Sequence, residues 1–280
     1  MIVCRTKTEL SGHLRSLHSE GKTIGMVTTM GALHRGHASL VEKATTENDT
    51  VVVSIFVNPT QFNDPSDLDH YPRRLDQDLE LLRRLHAHMV FIPSEKEMYP
   101  LKDERIFDLG GLDQVMEGKH RKGHFNGVAQ IVTKLFGLVH PHRAYFGQKD
   151  FQQLVIIRKL VEVLDLDIEI VACPIIREVD GLAMSSRNLL LSKEERKHAP
   201  KIFQILTRAR DKMTEMTPAQ VKQWLRFQFD QEPALNLEYI EIVEDKGLTP
   251  VEAWDENVNK VACIAVHLGN VRLIDNLNFA

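Results

Sequence analysis

The sequence predicts an α/β fold, in which a parallel sheet covered by helices is followed by a smaller C-terminal α+β domain. Short apolar runs rich in β-branched residues alternate with helical patterns up to about residue 190, and this alternation is typical of a parallel sheet. Beyond that point the pattern changes to helices followed by alternating strands. We therefore predict two domains, at residues 1–189 and 190–280.

The elements of the first domain follow from the spacing of its apolar residues. The β-prone runs predict strands at 23–28, 51–57, 89–92, 143–146 and 167–171. Helical spacing predicts helices at 37–48, 73–87, 127–139 and 151–164. Four polar residues fall just after predicted strands, namely His34, Asn58, Gln61 and Lys149. Because ligands of parallel sheets bind beyond the carboxyl ends of the strands, we expect these side chains to converge on one crevice.

The second domain is predicted from helix-start signals and alternating strands. Ser192-Lys-Glu-Glu195 and Thr217-Pro-Ala-Gln220 both fit capping boxes, the second with proline at the first helical position. Alternating residues predict strands at 236–244, 260–267 and 271–274. A hinge at 188–191 would allow this domain to act as a lid over a bound ligand.

Composition excludes several classes of protein. A net charge of −4 over 280 residues provides no general attraction to nucleic acid or to membranes. No run of about 18 apolar residues occurs, so no membrane-spanning helix is expected. The start of the chain lacks the pattern of a signal peptide. The three cysteines, Cys4, Cys173 and Cys263, have no metal-site spacing, and their odd number fits a reducing cytoplasm.

The segment Met30-Gly-Ala-Leu-His34-Arg-Gly36-His37 lies between a predicted strand and a predicted helix. The first amides of a helix and its positive dipole end form an anion site, and Gly31 and Gly36 allow close approach of a phosphate. His34 and His37 are three residues apart, so both can face the same side of the turn and stabilise charge that develops on phosphates. A chance surface pair is the alternative, whereas zinc is disfavoured because the sequence lacks an HExxH motif.

Two further segments suit a polyphosphate. Met184-Ser-Ser-Arg187 follows the turn signal Asp180-Gly181 and combines two hydroxyls with a planar guanidinium. Lys149 lies in Gly147-Gln-Lys-Asp150, at another predicted strand-to-helix turn, where its ammonium can neutralise phosphate. Each segment also has a purely structural interpretation, as a turn with a solvated arginine or as a D-x-x-Q helix cap formed by Asp150 and Gln153.

Other polar residues leave two interpretations open. Gln61 and Gln153 can bind hydroxyl groups without charge, so they are candidate substrate ligands, but loop solvation and helix capping explain them as well. Asp76 and Asp78 are candidate neighbours of a magnesium ion, or acids that stabilise the dipole of the helix beginning near residue 73. No set of metal ligands can be assigned from the sequence.

Seven motifs in order carry a resemblance to a known family. They are Met30–His37, Asn58-Pro-Thr-Gln61-Phe62, Tyr71-Pro-Arg73, Gly123-His-Phe125, Gly147–Asp150, Asp180–Asn188 and Leu273-Ile-Asp-Asn276. They resemble the pantothenate synthetase family, and the resemblance runs from about residue 23 to residue 276. The resemblance implies a Rossmann-like nucleotidyltransferase domain and an AMP-forming ligase that joins pantoate to β-alanine with ATP and Mg²⁺, through a pantoyl-adenylate. It also implies a cytoplasmic homodimer.

The resemblance also assigns roles to residues of this sequence. His34, His37 and Lys149 would be catalytic, with His37 as a proton donor, and Gln61 and Gln153 would bind pantoate, with Gln61 also near β-alanine. The implied ATP contacts are Met30, Gly31, Ala32, Leu33, His34, Arg35, Gly36, His37, Gly147, Gln148, Lys149, Asp150, Ile176, Met184, Ser185, Ser186 and Arg187.

Three other functions remain to be distinguished from this one. A nucleotidyltransferase that adenylates pantetheine phosphate shares the HxGH turn, but such chains are usually shorter and need no second domain. An aminoacyl-tRNA synthetase would require a more basic and longer chain. A non-enzymatic relative that only binds nucleotide would show broken motif positions, and none of the polar positions above is broken.

Overall fold

The computed structural model describes residues 1–255 and 257–279, so residues 256 and 280 of the predicted second domain lie outside the described residues. The first part of the chain contains the strands β1 (Ile2–Cys4), β2 (Ile24–Thr29), β3 (Thr50–Ile55), β4 (Met89–Phe91), β5 (Arg143–Gly147) and β6 (Glu169–Cys173). Its helices are α1 (Lys7–Ser19), α2 (Arg35–Glu47), α3 (Pro65–His70), α4 (Leu75–Arg84), α5 (Glu95–Met98), α6 (Met116–His120), α7 (His124–Val139) and α8 (Phe151–Val163).

The second part begins with helices and ends in a sheet. The helices are α9 (Lys193–His198), α10 (Lys201–Asp211) and α11 (Pro218–Asp230), and the strands are β7 (Asn236–Glu244), β8 (Lys260–Leu268) and β9 (Val271–Asn278). Short 3₁₀ helices lie at Pro59–Gln61, Gln148–Asp150, Ser186–Leu190 and Lys212–Thr214.

The first six strands form one parallel sheet in the order β1-β4-β3-β2-β5-β6. The chain builds outward from β2 through β3 to β4, and then crosses back to place β5 on the other side of β2. The strand order therefore reverses between β2 and β5. Such a reversal opens a crevice at the carboxyl ends of the two strands, and it is the usual ligand site of an open α/β sheet.

The α/β fold predicted from the sequence is confirmed. Every predicted strand and helix is present, most with shifted ends, and the strand at 236–244 has the predicted bounds. The capping boxes at Ser192 and Thr217 are formed. The helix expected after Ser192 ends at His198, and a new helix starts after Pro200, because proline lacks the N–H that would continue the first. Five elements of the first part were not predicted: β1, α1, α3, α5 and α6. All except α1 have six residues or fewer, too few to show a clear period.

The second sheet is antiparallel, with β8 between β7 and β9. One of its faces packs on α10 and α11 around Leu225 and Ile264. Side chains on its other face, including Tyr239 and Cys263, share one apolar cluster with Phe136 of α7. The two parts of the chain are thus joined by a common core, and the domain boundary near residue 190 stays a prediction.

No helix among the residues that the structure describes is both long enough and apolar enough to cross a bilayer.

Candidate active site

A cleft of about 200 Å³ opens at the reversal point between β2 and β5. It brings together predicted site residues from every distant segment of the first part. Those that line it are Met30, His34, Gly36, His37, Gln61, Gly147, Lys149, Asp150, Gln153, Ile176, Met184, Ser185, Ser186 and Arg187. The convergence expected from the strand ends is therefore confirmed, including Asn58.

Five of the predicted ATP contacts lie outside the lining of this cleft. Ala32 and Leu33 line a smaller adjoining chamber of about 170 Å³. Gly31 forms the turn itself, with φ of 81°, and a Cβ there would lie 3.1 Å from Asp78 Oδ2. The Arg35 side chain is exposed and faces Glu42. Gln148 is exposed and presents its backbone carbonyl inward, to Asn276. Side-chain contact with a ligand in the main cleft is thus not supported for these positions.

His34 and His37 form a compact pair at the amino end of α2. Their ring centroids are 4.1 Å apart. The backbone N–H of Gly36 donates to Nδ1 of His34 at 3.1 Å, and the backbone N–H of His34 donates to Nδ1 of His37 at 3.3 Å. The two rings replace the hydroxyl and carboxylate of an ordinary capping box. Because each Nδ1 accepts a hydrogen bond, each neutral ring carries its proton on Nε2.

Both imidazoles are neutral near neutral pH. Burial, and secondarily the charge of Lys149, lowers the pKa of His34 to about 4. Burial lowers the pKa of His37 well below its ordinary value, and His34 and Lys149 add to this effect. Two neutral N–H donors therefore stand at a helix amino terminus, where the unpaired backbone amides also favour an anion.

A carboxylate on the neighbouring helix α4 holds the turn before this pair. The backbone N–H groups of Ala32 and Leu33 donate to Asp78 at 2.9 and 2.7 Å. Asp78 is buried, and burial raises its pKa while the two amides oppose that rise. The sequence alone predicts Asp78 as a magnesium neighbour or as a partner of the helix dipole. The structure instead makes it the anchor of the turn, a role that only the packing of α4 against this turn reveals.

Direct contacts join the Ser185–Arg187 segment to the histidine turn. The Ser186 hydroxyl donates to the carbonyl of Ala32 at 3.1 Å. The guanidinium of Arg187 binds Asp67 at 2.7 Å and lies 5.5 Å from the centre of the Tyr71 ring. Two segments about 150 residues apart in sequence therefore contact each other and line the same cleft.

Lys149 lies in the 3₁₀ turn between β5 and α8 and is half-buried, with its Nζ 3.4 Å from Asp150 Oδ1. The alternative in which Asp150 caps α8 is wrong, because Asp150 makes no side-chain cap hydrogen bond. The neighbouring Gln152, rather than Gln153, is the structural residue: it is buried and bonds Glu117 N, Leu112 O and Val115 O. Gln153 remains available to the cleft.

Gln61 is oriented by Asn58, which was expected in the crevice, and by His124, which the sequence did not identify as part of it. Asn58 Nδ2 donates to Gln61 Oε1 at 3.1 Å and also to Gly127 O. The Nδ1–H of His124 donates to Gln61 O at 2.7 Å, while its Nε2 accepts from Arg121 at 3.2 Å. Burial, followed by the charge of Arg121, lowers the pKa of His124 to about 4. The loop-solvation interpretation of Gln61 is therefore wrong, since this side chain is buried.

The cleft is poor in acidic ligands. Among the described residues, no group of three or more His, Cys, Asp or Glu side chains is arranged to hold a metal ion. Asp150 is the one carboxylate among the described lining residues.

Comparison with known proteins agrees with this arrangement. Residues 2–278 match the family model described as pantoate-beta-alanine ligase. Pantothenate synthetase from Porphyromonas gingivalis strain W83 is 51% identical over 279 residues, which cover 100% of this chain and 99% of that protein. The Bacteroides fragilis strain YCH46 enzyme of the same name is 52% identical with the same coverage.

Solved structures show the same relationship. The crystal structure of pantothenate synthetase from Thermus thermophilus matches with a TM-score of 0.93 and 40% identity, over 100% of this chain and 99% of that one. Pantoate-beta-alanine ligase from Francisella tularensis, complexed with beta-gamma ATP and β-alanine, matches with a TM-score of 0.82 and 36% identity, over 100% and 98%. The chain therefore belongs to the pantoate–β-alanine ligase family, and it is a ligase that joins pantoate to β-alanine.

Proposed function

We propose that this ligase uses ATP to form a pantoyl-adenylate and then transfers the pantoyl group to β-alanine, releasing pyrophosphate and AMP. The observation that carries the proposal is the convergence of the histidine turn, Lys149 and the Ser185–Arg187 segment on one cleft. The Francisella tularensis relative, which is complexed with beta-gamma ATP and β-alanine, supports the same choice of ligands.

In the first step, a carboxylate oxygen of pantoate attacks the α-phosphorus of ATP. A new P–O bond forms as the bond to the bridging oxygen breaks, and that electron pair leaves on pyrophosphate. The protein has to align the two reactants and stabilise the charge on the transferring and leaving groups. No proton transfer from the protein is needed, because the attacking group is already a carboxylate.

The cleft provides both charged and neutral groups for this step. His34 and His37 present neutral Nε2–H donors at the amino end of α2. Lys149 and Arg187 supply the positive charge, and Ser186 supplies a hydroxyl. Neutral donors favour stabilisation of charge over proton donation, so we assign His37 to hydrogen bonding with the phosphates rather than to the role of a proton donor.

Pantoate has two hydroxyls, a carboxylate and a pair of methyl groups. Gln61 and Gln153 line one part of the cleft and can bind hydroxyls. The side chains of Val128, Ile131 and Val132 on α7 line the same cleft and offer an apolar surface to the methyl groups. This arrangement leaves the carboxylate free to reach the α-phosphorus.

In the second step, the amine of β-alanine attacks the carbonyl carbon of the pantoyl-adenylate. A C–N bond forms, the bond from carbon to the phosphate oxygen breaks, and AMP leaves with that oxygen while the nitrogen loses a proton to solvent. No enzyme nucleophile takes part.

The chemistry of the cleft fits Mg²⁺. This ion is usually held by one or two carboxylates together with substrate phosphates and waters. Asp150, which lies 3.4 Å from Lys149, is the one carboxylate among the described lining residues and would hold it. When bound, Mg²⁺ would neutralise phosphate charge. The homodimer and the cytoplasmic location implied by the family resemblance stay predictions.

The proposal is tested by exchange of radiolabelled pyrophosphate into ATP, measured with pantoate and Mg²⁺ but without β-alanine. We expect exchange in the wild type only when pantoate is present. His37→Ala and Lys149→Ala should each lower the rate by at least about 100-fold, as expected for lost transition-state electrostatics.

Matched controls are His86→Ala, at an exposed position, and Lys43→Ala, whose side chain is 40% exposed. Both should keep the wild-type rate within about twofold because neither residue lies in the cleft. Exchange without pantoate, or exchange of normal rate in both cleft variants, would contradict the proposal.

A further inference from the structure

A buried dipeptide in β9, in the second part of the chain, holds the turn that carries Lys149. Asp275 and Asn276 are 5% and 6% exposed. The Asn276 side-chain amide donates to the backbone carbonyl of Gln148 at 2.8 Å and to that of Lys149 at 2.9 Å. Both carbonyls belong to the 3₁₀ turn that carries Lys149. One side chain therefore holds this turn by two of its peptide groups.

Asn276 is itself fixed from two sides. Its backbone N–H donates to Asp275 Oδ1 at 2.8 Å, and its carbonyl accepts from Arg177 Nη2 at 3.1 Å. Arg177 also binds both carboxylate oxygens of Asp275, at 2.7 and 2.9 Å, and its guanidinium stacks 3.8 Å above the ring of Phe203. Because this buried pair is bidentate, it fixes the orientation of the Arg177 guanidinium relative to Asp275 as well as the distance between them.

The same arginine holds the segment that leads to Ser185–Arg187. Arg177 Nη1 donates to the carbonyl of Gly181 at 3.1 Å, and Arg177 pairs with Ala183 in an isolated β-bridge. The backbone N–H of Met184 donates to Ile176 O at 3.0 Å. The Lys149 turn and the Ser185–Arg187 segment, which both line the cleft, are thus attached to one dipeptide of the C-terminal sheet.

We infer that Asn276 is a positioning residue for adenylation, which sets Lys149 at a fixed distance from the Ser185–Arg187 segment across the bound triphosphate. The inference rests on the proposed function. It assigns the C-terminal sheet a part in the first chemical step, although Asn276 lies behind the turn and touches only its carbonyl groups.

A double-mutant cycle distinguishes positioning from general support of the fold. The pantoate-dependent exchange of pyrophosphate is measured for Asn276→Ala, Lys149→Ala and the double variant. A displacement of about 1 Å at a catalytic group can cost about 100-fold, so we expect Asn276→Ala alone to lower the rate by about 30-fold. In the Lys149→Ala background the same change should cost less than about threefold, because the group that it positions is already absent.

Two companion variants complete the test. Asn276→Ser keeps one hydrogen-bond donor, so its exchange rate should fall by only about fivefold. If the Asn276→Ala protein does not fold, Asn276→Ser replaces it in the cycle. Asn236→Ala changes an exposed asparagine at the start of β7 in the same sheet and should keep the wild-type rate within about twofold.

Three results would overturn the inference. They are an equal loss from Asn276→Ala in both backgrounds, wild-type exchange in both Asn276 variants, and an equal loss from Asn236→Ala. A wild type without any exchange would instead refute the proposed function, so the two failures are separable.

Discussion

The histidines of the cleft show how burial decides the chemistry of a single residue. His34 and His37 lie where the sequence places an anion site, yet their pKa values are lowered by burial. An imidazolium would add attraction to ATP before and after reaction alike. A neutral N–H group instead donates a directed hydrogen bond. This bond strengthens as negative charge develops on the oxygen that accepts it. The positive charge is left to Lys149 and Arg187.

His124 has a lowered pKa for a related reason, and this predicts a dependence of stability on pH. Its Nε2 accepts from the Arg121 guanidinium, so a proton there would meet a positive charge. The unfolded chain, with an ordinary pKa of 6.5, takes up this proton first, and the folded chain takes it up only at about 4. Stability should therefore be complete above pH 6.5 and fall as the pH drops towards 4.

At about 1.4 kcal/mol for each pKa unit, this one group accounts for about 3 kcal/mol of the loss. Urea unfolding between pH 4.5 and 7 measures how the free energy of unfolding changes with pH. His124→Gln, which can still donate to Gln61 O, should flatten the slope, while the exposed His86→Gln should leave it unchanged. A slope that is equal in the wild type and His124→Gln would show that His124 is not responsible.

At the scale of secondary-structure elements, the site consists of strand-to-helix turns held by neighbouring elements. The turn after β2 is fastened by Asp78 of α4, and the turn after β5 is fastened by Asn276 of β9. The Asp78 carboxylate accepts from two backbone amides and thereby fixes the orientation of the turn after β2. Hydrogen bonds to a charged group are stronger than those between neutral groups.

Asp78→Asn tests the first of these attachments. The amide keeps one acceptor and loses the other, so one buried N–H of Ala32 or Leu33 is left unpaired at a cost of about 1–3 kcal/mol. We expect lower stability in urea and a pyrophosphate exchange rate at least about tenfold below wild type, because the histidine turn is displaced.

Asp76→Asn is the matched control, since Asp76 lies in the same first turn of α4 but is exposed. It should behave like the wild type. Equal effects of the two substitutions would assign Asp78 to the helix dipole, as the sequence alone had allowed.

At the scale of the whole molecule, the C-terminal part is attached to the first on two sides. Besides Asn276, the buried Glu117 of α6 accepts two hydrogen bonds from Arg272 of β9, at 2.7 and 2.8 Å, and one from Tyr239. Burial alone would raise the pKa of Glu117, but the bonds from Arg272 lower it to about 2. In this conformation buried hydrogen bonds attach the C-terminal part to the first part. The closing motion expected around residues 188–191 stays a prediction.

The sequence predicted those features that depend on local patterns. Apolar periodicity located the strands, and the polar residues just after them identified the crevice, because parallel strands end at the same edge of a sheet. Asp78, Arg177 and Asn276 were not predicted as supports, because their partners are 45 to 128 residues away or belong to another element. Such pairings depend on tertiary packing, which leaves no periodic signal in one sequence.

The central claim is that a pantoate oxygen becomes bonded to the α-phosphorus within this cleft. The most direct test supplies pantoate labelled with ¹⁸O in its carboxylate, together with ATP, Mg²⁺ and β-alanine, and analyses the products by mass spectrometry. Our account predicts one ¹⁸O atom in each AMP formed and none in pyrophosphate. Unlabelled AMP, or label in ADP or inorganic phosphate, would contradict it.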